Sequence, residues 1–464
     1  MQGLTETIAH FIAGNGVKDF PPEAIENSKK VLVDTFACIL AGAGSEVAPP
    51  LMRYVEQAGG TGDAPILGTK VTASPEIAAM TNGAFGHALD FDDVLPMMPG
   101  HPSAIIVSAA LANLRRNPLT GLQVIEAHVI GIEVGAKIGL GITNGHYNRG
   151  FHGTGTLGIF SAAAALAKLH RLDPSTIRTV FGIAGSMASG LRRNFGTMVK
   201  PFHTGWAARN AVVAVDLARC GYTAAPDVLE ARAGFFAAYG VEASRPDVAS
   251  ASLGRPWAIV DPGVGLKMWP CYNGSQRGMH GALQLREKLG FTAETLAHLE
   301  CRMPPGGMQV VIYPKPKTGL EGKFSLQYAL AAGVLDGKYS FWTFTDEAVN
   351  RREIRELLDT KIVAREDERC GGNDPALASR AAGARGFVEV EARTTDGKSE
   401  VIRVDAAPGH PSKALGWDDL HQKFIDCAAY GRLDAVRAQT AFDQLTRLEQ
   451  CPDVNALVDL LSVH

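Results

Sequence analysis

Long helix-forming segments that are apolar on nearly every side are the feature that most restricts the fold of this chain. EAIENSKKVLVDTFACILAG has apolar residues at a helical period, and SAIIVSAALANLRR and TLGIFSAAAALAKLH are almost wholly apolar, with small residues interleaved. A helix without a wide polar face is buried on several sides by other elements. Residues 1 to about 260 are therefore predicted to form closely packed helices.

Start and stop signals place the ends of several of these helices. A Pro-Pro pair at 21–22 precedes the first long segment and Gly42 follows it, as expected for a helix that begins at proline and ends at glycine. Ser74 and Pro75 stand at the predicted N-cap and first turn of ASPEIAAMTNGAFGHAL, and Asp173 is the predicted N-cap of PSTIRTVFGIAGSMASG. Further helices are expected over GLQVIEAHVIGIEVGAKIG and GWAARNAVVAVDLARC.

The pattern changes after about residue 262. HLECRMPPGGMQVVIY is typical of a strand that enters a loop, and KFSLQYALAAGVLDG is typical of a helix. FVEVEARTTDGKSEVIRVDA alternates apolar and polar residues on both sides of Asp396-Gly397, which is a strong hairpin signal. We therefore predict a mainly α protein: a large all-helical domain of residues 1–261, completed by residues 404–464, and a smaller inserted α+β domain of residues 262–403.

Charge, hydropathy and cysteine usage exclude several classes of protein. The chain of 464 residues has a net charge of −3 and contains no Lys/Arg-rich run, so nucleic acid is not an expected partner. No apolar stretch approaches the roughly 20 residues that span a bilayer, and the first residues do not resemble a signal peptide. The seven cysteines are scattered without a C-x-x-C pair, as expected of reduced, mostly buried thiols. We expect a cytoplasmic protein that binds no membrane.

The stretch HALDFDDVLPMMPGHPS concentrates acidic and imidazole groups in an apolar, proline-rich loop. Its ionisable side chains are His87, Asp90, Asp92, Asp93 and His101. Burying an unpaired charge is costly, so these groups are expected to be paired. Three interpretations are open at this point: helix capping by Asp90 or Asp92, a metal site, and acid–base chemistry with carboxyl pKa values raised by apolar neighbours. No H-E-x-x-H or D-x-D-x-D-G spacing supports the metal site.

The glycine-rich motif GTGTLG at 153–158 matches G-x-G-x-x-G but lacks the context of a dinucleotide site. No buried strand precedes the motif, and the acidic residue about 20 positions further on, Asp173, is expected to cap a helix. A tight turn before a packed helix explains the glycines. His152 lies directly before that helix, where free backbone N–H groups can bind an anion.

Basic side chains cluster in LRRNFGTMVKPFHTGWAARN, with no acid among them. They are Arg192, Arg193, Lys200, His203 and Arg209. Aromatic residues and glycines are interleaved with these side chains, which favours a semi-buried basic loop over a solvated face. Such a loop suits an anionic substrate, above all a carboxylate.

A second polar segment, GLKMWPCYNGSQRGMHGALQL, lies where the two predicted domains meet. Its polar side chains include Lys267, Gln276 and His280. Active sites often lie at such junctions, so these residues are candidates for substrate binding. A linker that runs into an ordinary helix would show the same pattern.

Taken together, these segments resemble the MmgE/PrpD family, whose members include 2-methylcitrate dehydratase, cis-aconitate decarboxylase and iminodisuccinate epimerase. The motifs that carry the resemblance over nearly the whole chain, in the family's order, are NGAFGHALDFDD with GHPS, FHGTGTLGIFSAAAA, KPFHTGWAARN, KMWPC and EGKFSLQYALAAG. NFGTM-x-KP-x-HTG and DFDD-x-x-P-x-M-x-GHPS are most similar to the iminodisuccinate epimerase branch. The resemblance implies that the α+β domain is a lid, that a pocket lies between the domains, that the protein is a homodimer, and that it uses no metal or nucleotide cofactor.

The family's functional positions can be carried over residue by residue. In the decarboxylase-like members they correspond to Asp90, His101, His152 and Lys200, and the family's strand tyrosine corresponds to Tyr313. These first four residues form the predicted catalytic set, with His101 and His152 as proton-transfer groups and Asp90 orienting or tuning one of them. The company of His152, Lys200 and the basic loop disfavours a metal, and Asp92 and Asp93 are predicted to be structural.

One position departs from the family pattern. Members usually carry a histidine six residues after the proline of K-x-x-P, where this chain has Gln276, and His280 follows one helical turn later. Glutamine cannot move a proton as imidazole does. Either His280 substitutes, or another base acts, or the reaction differs, or activity is lost.

The expected substrate is a small di- or tricarboxylate. Lys200 is expected to contact its carboxylates, and the predicted substrate-binding set is Arg192, Arg193, Lys267, Gln276, His280 and Tyr313. Family chemistry implies a cofactor-independent lyase of the dehydratase type that moves a proton at a carbon next to a carboxylate. Two alternatives are open: an isomerase or epimerase of an iminodisuccinate-like dicarboxylate, and a non-catalytic ligand-binding relative.

Overall fold

The computed structural model describes residues 3–58, 62–371 and 385–462, and it is mainly α-helical. By its internal contacts the chain divides into two units. The first unit consists of residues 1–193, 199–265 and 416–464, and the second unit consists of residues 194–198 and 266–415.

The boundaries between the units lie further along the chain than the predicted 261/262 and 403/404. Gly265 stays in the first unit because its N–H donates to the carbonyl of Val94 at 2.9 Å and its carbonyl accepts from the N–H of Val94 at 2.7 Å. Gly409 stays in the second unit because its carbonyl accepts from the N–H of Leu266 at 2.8 Å. These backbone pairs, which composition does not reveal, keep Gly265 in the first unit and Gly409 in the second.

The helices are numbered in chain order through both units. They are α1 (Leu4–Gly14), α2 (Pro22–Ala43), α3 (Ala48–Ala58), α4 (Pro75–His87), α5 (Ser103–Leu111), α6 (Gly121–Asn148), α7 (Gly153–Thr156), α8 (Gly158–Leu169), α9 (Pro174–Met187), α10 (Val199–Arg219), α11 (Phe235–Tyr239), α12 (Pro246–Ala251), α13 (Gln276–Leu289), α14 (Gly319–Gly322), α15 (Leu326–Asp336), α16 (Asp346–Val349), α17 (Arg352–Thr360), α18 (Trp417–Tyr430), α19 (Ala435–Leu445) and α20 (Val454–Leu460). Helices α13 to α17 belong to the second unit and the others to the first.

The predicted starts of α4 and α9 are confirmed, although only one cap is made as expected. The carboxylate of Asp173 accepts from the N–H groups of Ser175 and Thr176 at 2.9 and 3.2 Å, which caps α9. Ser74 holds the N-cap position of α4, but its hydroxyl donates to Glu76 at 2.7 Å instead of accepting from the helix backbone.

The prediction of helices buried on several sides is confirmed in the first unit. Every residue of α5 is buried, as is α8 from Gly158 to Ala167. Their alanine and glycine residues let neighbouring helices approach closely. The unit is not wholly helical as predicted, because strands β1 (Ala64–Pro65) and β2 (Thr72–Ala73) form a short antiparallel pair.

The second unit contains a four-stranded sheet. Its strands are β3 (Leu296–Met303), β4 (Ile362–Glu366), β5 (Val388–Thr394) and β6 (Ser399–Val404). Their order is β4-β3-β5-β6, with β3 and β4 parallel and the other pairs antiparallel. The predicted hairpin at Asp396-Gly397 is the β5–β6 connection, and α13 packs on this sheet where Gly281 faces Val390.

The tight turn predicted at the G-x-G-x-x-G segment is wrong, because Gly153 and Gly155 lie in α7 and Gly158 begins α8. Phe151, just before α7, makes only an isolated bridge to Leu191 rather than a strand. A dinucleotide site would need a strand at that place.

The cysteines agree with the sequence expectation of mostly buried thiols. All seven cysteines lie in the described ranges and are free thiols, of which Cys220 is exposed and Cys451 half-buried. In the described ranges no single helix is long and apolar enough to cross a bilayer; α2 and α3 together pass that test, but they are bent by 84° at the break between them.

Candidate active site

Helices α4 and α10 cross at two glycines. A Cβ on Gly205 would lie 2.1 Å from the backbone oxygen of Met80, and a Cβ on Gly83 would lie 2.9 Å from the Cα of Gly205. Any side chain at either position would push the two helices apart. The crossing brings Lys200, in the first turn of α10, against His87, the last residue of α4.

The Lys200 ammonium lies at the centre of a buried polar cluster. Its Nζ donates to Oδ2 of Asp90 at 2.9 Å and to Nε2 of His87 at 2.7 Å. Because an ammonium only donates, Nε2 of His87 accepts and the neutral ring carries its proton on Nδ1. That Nδ1 lies 2.9 Å from both carboxylate oxygens of Asp92. Burial, with the Lys200 charge, lowers the pKa of His87 against the opposing effect of Asp92.

The loop after α4 turns back sharply to place its carboxylates. Asp90 has a left-handed φ of +52°, and its N–H donates to the carbonyl of His87 at 3.1 Å. This conformation is uncommon for residues other than glycine and often marks a functional site. Capping by Asp90 or Asp92, one of the sequence interpretations, is wrong because their carboxylates bond Lys200 and His87.

His101 is oriented by a backbone carbonyl. Its Nδ1 lies 2.5 Å from the carbonyl oxygen of Asp93, and since a carbonyl only accepts, the proton is on Nδ1. The lone pair of the neutral ring is then on Nε2. The His101 ring centroid is 4.5 Å from that of His87, and its Nδ1 is 3.7 Å from Oδ1 of Asp92. His101 therefore belongs to the cluster as a potential base.

Asp93 begins a buried hydrogen-bonded chain behind the cluster. Its carboxylate accepts from the Ser103 hydroxyl at 2.7 Å and from the Ser103 N–H at 3.4 Å, at the start of α5. The Ser103 hydroxyl lies 2.9 Å from Nε2 of His128, and Nδ1 of His128 lies 2.8 Å from the Ser28 hydroxyl. Burial, with the neighbouring Asp92, raises the pKa of Asp93 well above its ordinary value, and burial lowers the pKa of His128 to about 3.

His152 faces the cluster and a second imidazole. Its ring centroid is 5.9 Å from that of His87, and its Nδ1 is 3.0 Å from Nδ1 of His203. Burial and then the Lys200 charge lower the pKa of His152 well below its ordinary value. Burial, His87 and Lys200 lower the pKa of His203 to about 4. The helix that follows, α7, has only four residues and therefore only a small dipole to attract an anion. The chemistry at this position therefore depends on the His152 side chain and not on the helix end.

Sequence reasoning left His87 and His203 out of the predicted site. The basic segment was expected to be a loop, but α10 begins at Val199, so Lys200 and His203 lie on one face of its first turns. The Lys-Pro-x-His spacing is compatible with this helix start, because proline is allowed in a first turn. The segment itself contains no acid, and the partner of Lys200 is Asp90 from the loop after α4.

The two arginines of the predicted substrate-binding set lie apart from these contacts. Arg192 donates from Nη1 to the carbonyl of Tyr147 at 2.8 Å, and its guanidinium lies 3.9 Å from the centre of that ring. Arg193 is exposed. Within the described part of the first unit, neither guanidinium forms an ion pair or hydrogen bond with the cluster. Asp90, His101, His152 and Lys200 are brought together, and these arginines are not.

Gln276 braces a loop of the second unit. Its Oε1 accepts from the Trp269 N–H at 3.2 Å and its Nε2 donates to the Trp269 carbonyl at 2.9 Å. His280, on the same helix, lines a different region, a cavity of about 320 Å³ with Asp405 and Lys413. Burial and Lys413 lower the pKa of His280. The two side chains therefore have different surroundings, and His280 does not stand in the place of Gln276.

Tyr313 and Lys267 also lie in the second unit. Tyr313 follows β3 in a loop, so the expected strand position is wrong. Its hydroxyl donates to the carbonyl of Phe195 at 2.9 Å, and its ring lies against Gly196, where a Cβ would be 2.5 Å from Cε2. Lys267 is buried. Tyr313 thus anchors the segment 194–198 of its own unit.

The cluster also contains a possible set of metal ligands. One ligand atom each from His87, Asp90, Asp92 and His101 lies within 4.8 Å of the others. The Lys200 ammonium already bonds two of these groups. A divalent cation would have to lie beside that ammonium, and like charges so close repel strongly in a buried site. The donor set therefore fits an internal cation better than a metal.

Comparison with known proteins finds the family that the sequence motifs resemble, with matches over nearly the whole chain. The profile of the MmgE/PrpD N-terminal domain matches residues 6–245, and that of the MmgE/PrpD C-terminal domain matches residues 269–448. Cis-aconitate decarboxylase of Homo sapiens is 28% identical over 474 residues, which cover 99% of this chain and 95% of that protein. Cis-aconitate decarboxylase of Aspergillus terreus is 26% identical over 487 residues, which cover 99% of this chain and 96% of that protein. The chain belongs to the MmgE/PrpD family.

Proposed function

We propose that the chain is a lyase that acts on a small di- or tricarboxylate at a carbon next to a carboxylate. The observation that carries this proposal is the buried Lys200 ammonium, held by Asp90 and His87 beside the rings of His101 and His152. A fixed cation stabilises the negative charge that develops when a proton or CO2 leaves such a carbon. Imidazole rings can both accept and donate a proton, so the neighbouring histidines are suited to move it.

The relatives favour CO2 as the group that leaves. The human and Aspergillus relatives are named for decarboxylation of cis-aconitate, so a cis-aconitate-like tricarboxylate is the first substrate to test. In that reaction the bond to one carboxylate breaks, its electron pair stays with the substrate, and a proton takes the place of CO2. The dehydratase type that the sequence favoured would instead remove a proton and the elements of hydroxide, as water.

Each step of this reaction is assigned to residues of the first unit. Lys200 neutralises the charge that develops on the substrate, and Asp90 holds the ammonium in place. His152 delivers or removes the proton at carbon. His101, with its lone pair on Nε2, serves as the second proton acceptor.

We propose further that no metal or organic cofactor takes part, because Lys200 supplies the positive charge within the potential ligand set. Turnover is therefore expected to be unchanged after dialysis against EDTA. Loss of turnover that added Mg²⁺ or Zn²⁺ restores would contradict this part of the proposal. The homodimer, the cytoplasmic location and the lid role of the second domain stay predictions from the resemblance.

Proton NMR of the purified chain in D2O with cis-aconitate, 2-methylcitrate and iminodisuccinate tests the reaction class. A lyase consumes one of the first two and gives a new product, with deuterium at carbon when CO2 leaves. Deuterium exchange with inverted stereochemistry, without loss of CO2 or water from the substrate, would show the epimerase instead. Saturable binding of all three compounds without any turnover would show a ligand-binding relative.

A further inference from the structure

We propose that His203 carries protons between His152 and water. This inference rests on the proposed function, in which His152 exchanges a proton with the substrate carbon. The two rings are in direct contact: Nδ1 of His152 lies 3.0 Å from Nδ1 of His203, and the ring centroids are 5.3 Å apart. Only one proton fits between two nitrogens at that distance, so one ring donates and the other accepts.

His203 is closer to solvent than His152. His152 is 1% exposed, whereas His203 is 7% exposed. Among the residues that the structure describes, Nε2 of His203 has no hydrogen-bond partner, while its Nδ1 is engaged by His152. His203 therefore has one nitrogen on His152 and one nitrogen left for water.

Burial and the groups around the pair disfavour a protonated state of either ring. Lys200, His87, His101 and His203 face His152, and Lys200 and His87 face His203. The nearby ammonium and the burial both disfavour an imidazolium, in agreement with the lowered pKa values of both rings. A ring that releases a proton as readily as it takes one up is suited to pass it on.

Backbone contacts position the rings of His152 and His203. The N–H of His152 donates to the carbonyl of Gly190 at 3.0 Å. A Cβ on Gly190 would lie 3.3 Å from Cγ of His203, and a Cβ on Gly155 would lie 3.4 Å from its Cβ. His203 thus packs close to the backbones of Gly190 and Gly155, which limits the space open to its ring.

The transfer balances as follows for protonation of carbon. Nε2 of His203 takes a proton from water and its Nδ1–H passes to Nδ1 of His152, whose Nε2–H goes to the substrate carbon. One proton has moved from water to carbon, and each ring keeps one proton on its other nitrogen. Exchange with water restores the starting tautomers.

Turnover by His203→Phe and His203→Asn tests the relay. We expect kcat to fall by roughly 10²-fold with little change in KM, and added imidazole to restore part of it in both variants. Asparagine keeps a hydrogen bond to His152 but moves no proton, so wild-type kcat in His203→Asn would overturn the relay. A low kcat that does not respond to imidazole would overturn it too. His170→Asn, at the half-buried end of α8, is the matched control and should keep wild-type kcat.

A second measurement does not depend on turnover. In the ¹⁵N-histidine-labelled chain, NMR follows exchange of the ring proton of His152 with water. We expect this exchange to slow at least several-fold in His203→Phe. An unchanged rate would overturn the relay, whereas slow exchange in a chain that converts none of the carboxylates would refute the proposed function alone.

Discussion

The carbonyl of Asp93 and the ammonium of Lys200 fix the proton positions of two rings in the cluster. The first makes Nδ1 of His101 a donor, and the second makes Nε2 of His87 an acceptor. The sequence identified His101 and Lys200 from their motifs. It could not identify these partners, because a hydrogen bond to a backbone carbonyl leaves no trace in residue type.

Buried neutral histidines make the stability of the first unit depend on pH. Burial lowers the pKa of His203 and His146 to about 4 and that of His128 to about 3. The unfolded chain protonates these rings near pH 6.5, whereas the folded chain does not. The unfolded state therefore binds more protons below about pH 6.5, and the free energy of unfolding falls as the pH is lowered, by about 1.4 kcal/mol per pH unit for each ring.

Urea unfolding between pH 7 and pH 5 measures this slope. His128→Gln should reduce the slope, because one titrating ring is removed, even if the variant is less stable at every pH. His10→Gln, which alters a side chain that is 54% exposed, is the control. Equal slopes for wild type and His128→Gln would show that burial of this ring does not control the pH dependence.

At the scale of elements, the crossing of α4 and α10 builds the site. Gly205→Ala would place its Cβ 2.1 Å from the carbonyl oxygen of Met80, so the helices must separate. We expect a loss of about 1–3 kcal/mol in the free energy of unfolding and a larger loss of turnover, because Lys200 would move away from His87.

Gly14→Ala is the matched control for this crossing. Like Gly205, Gly14 lies in a helix of the first unit, α1. A Cβ added at Gly14 would meet nothing within 4 Å. Denaturant unfolding and turnover of both variants check the expectation. If Gly205→Ala were as stable and as active as Gly14→Ala, close approach of the two helices would not matter to the site.

The elements that the sequence predicted well are those with strong local signals. Proline and aspartate mark the starts of α4 and α9, and the Asp396-Gly397 turn marks the β5–β6 hairpin. The start of α10 was missed because Phe, Gly and basic residues around Lys200 hide its helical period. Strands β1 and β2 have two residues each, which is too short for alternation to show.

At the scale of the whole molecule, the C-terminal segment supports the loop that carries the carboxylates. Lys423 on α18 lies 2.5 Å from Oδ1 of Asp34 on α2 and donates to the carbonyl of Phe91 at 2.9 Å. Burial opposes the charge of Lys423, but the Asp34 carboxylate outweighs it and raises the pKa of the lysine. Such a long-range pair could not be read from sequence, because the two residues belong to opposite ends of the chain.

Lys423→Met should destabilise the first unit by about 3–5 kcal/mol, because it leaves the Asp34 carboxylate buried without its cation. The double variant Asp34→Leu/Lys423→Met removes both charges and should recover much of this loss. Midpoints of urea unfolding compare the two. A double variant that is less stable than Lys423→Met alone would mean that the ion pair is not what the lysine contributes.

The proposed function depends on Lys200 acting as the cation of a polycarboxylate lyase. The most direct test is the turnover of cis-aconitate by the wild type, by Lys200→Met and by Lys168→Met, followed by proton NMR, with circular dichroism to show that each is folded. Lys168 is a partly buried lysine of the same unit whose charge pairs with Glu126 instead. We expect kcat to fall by roughly 10²–10³-fold in Lys200→Met and to stay at the wild-type value in Lys168→Met. A folded Lys200→Met with wild-type turnover would contradict the account.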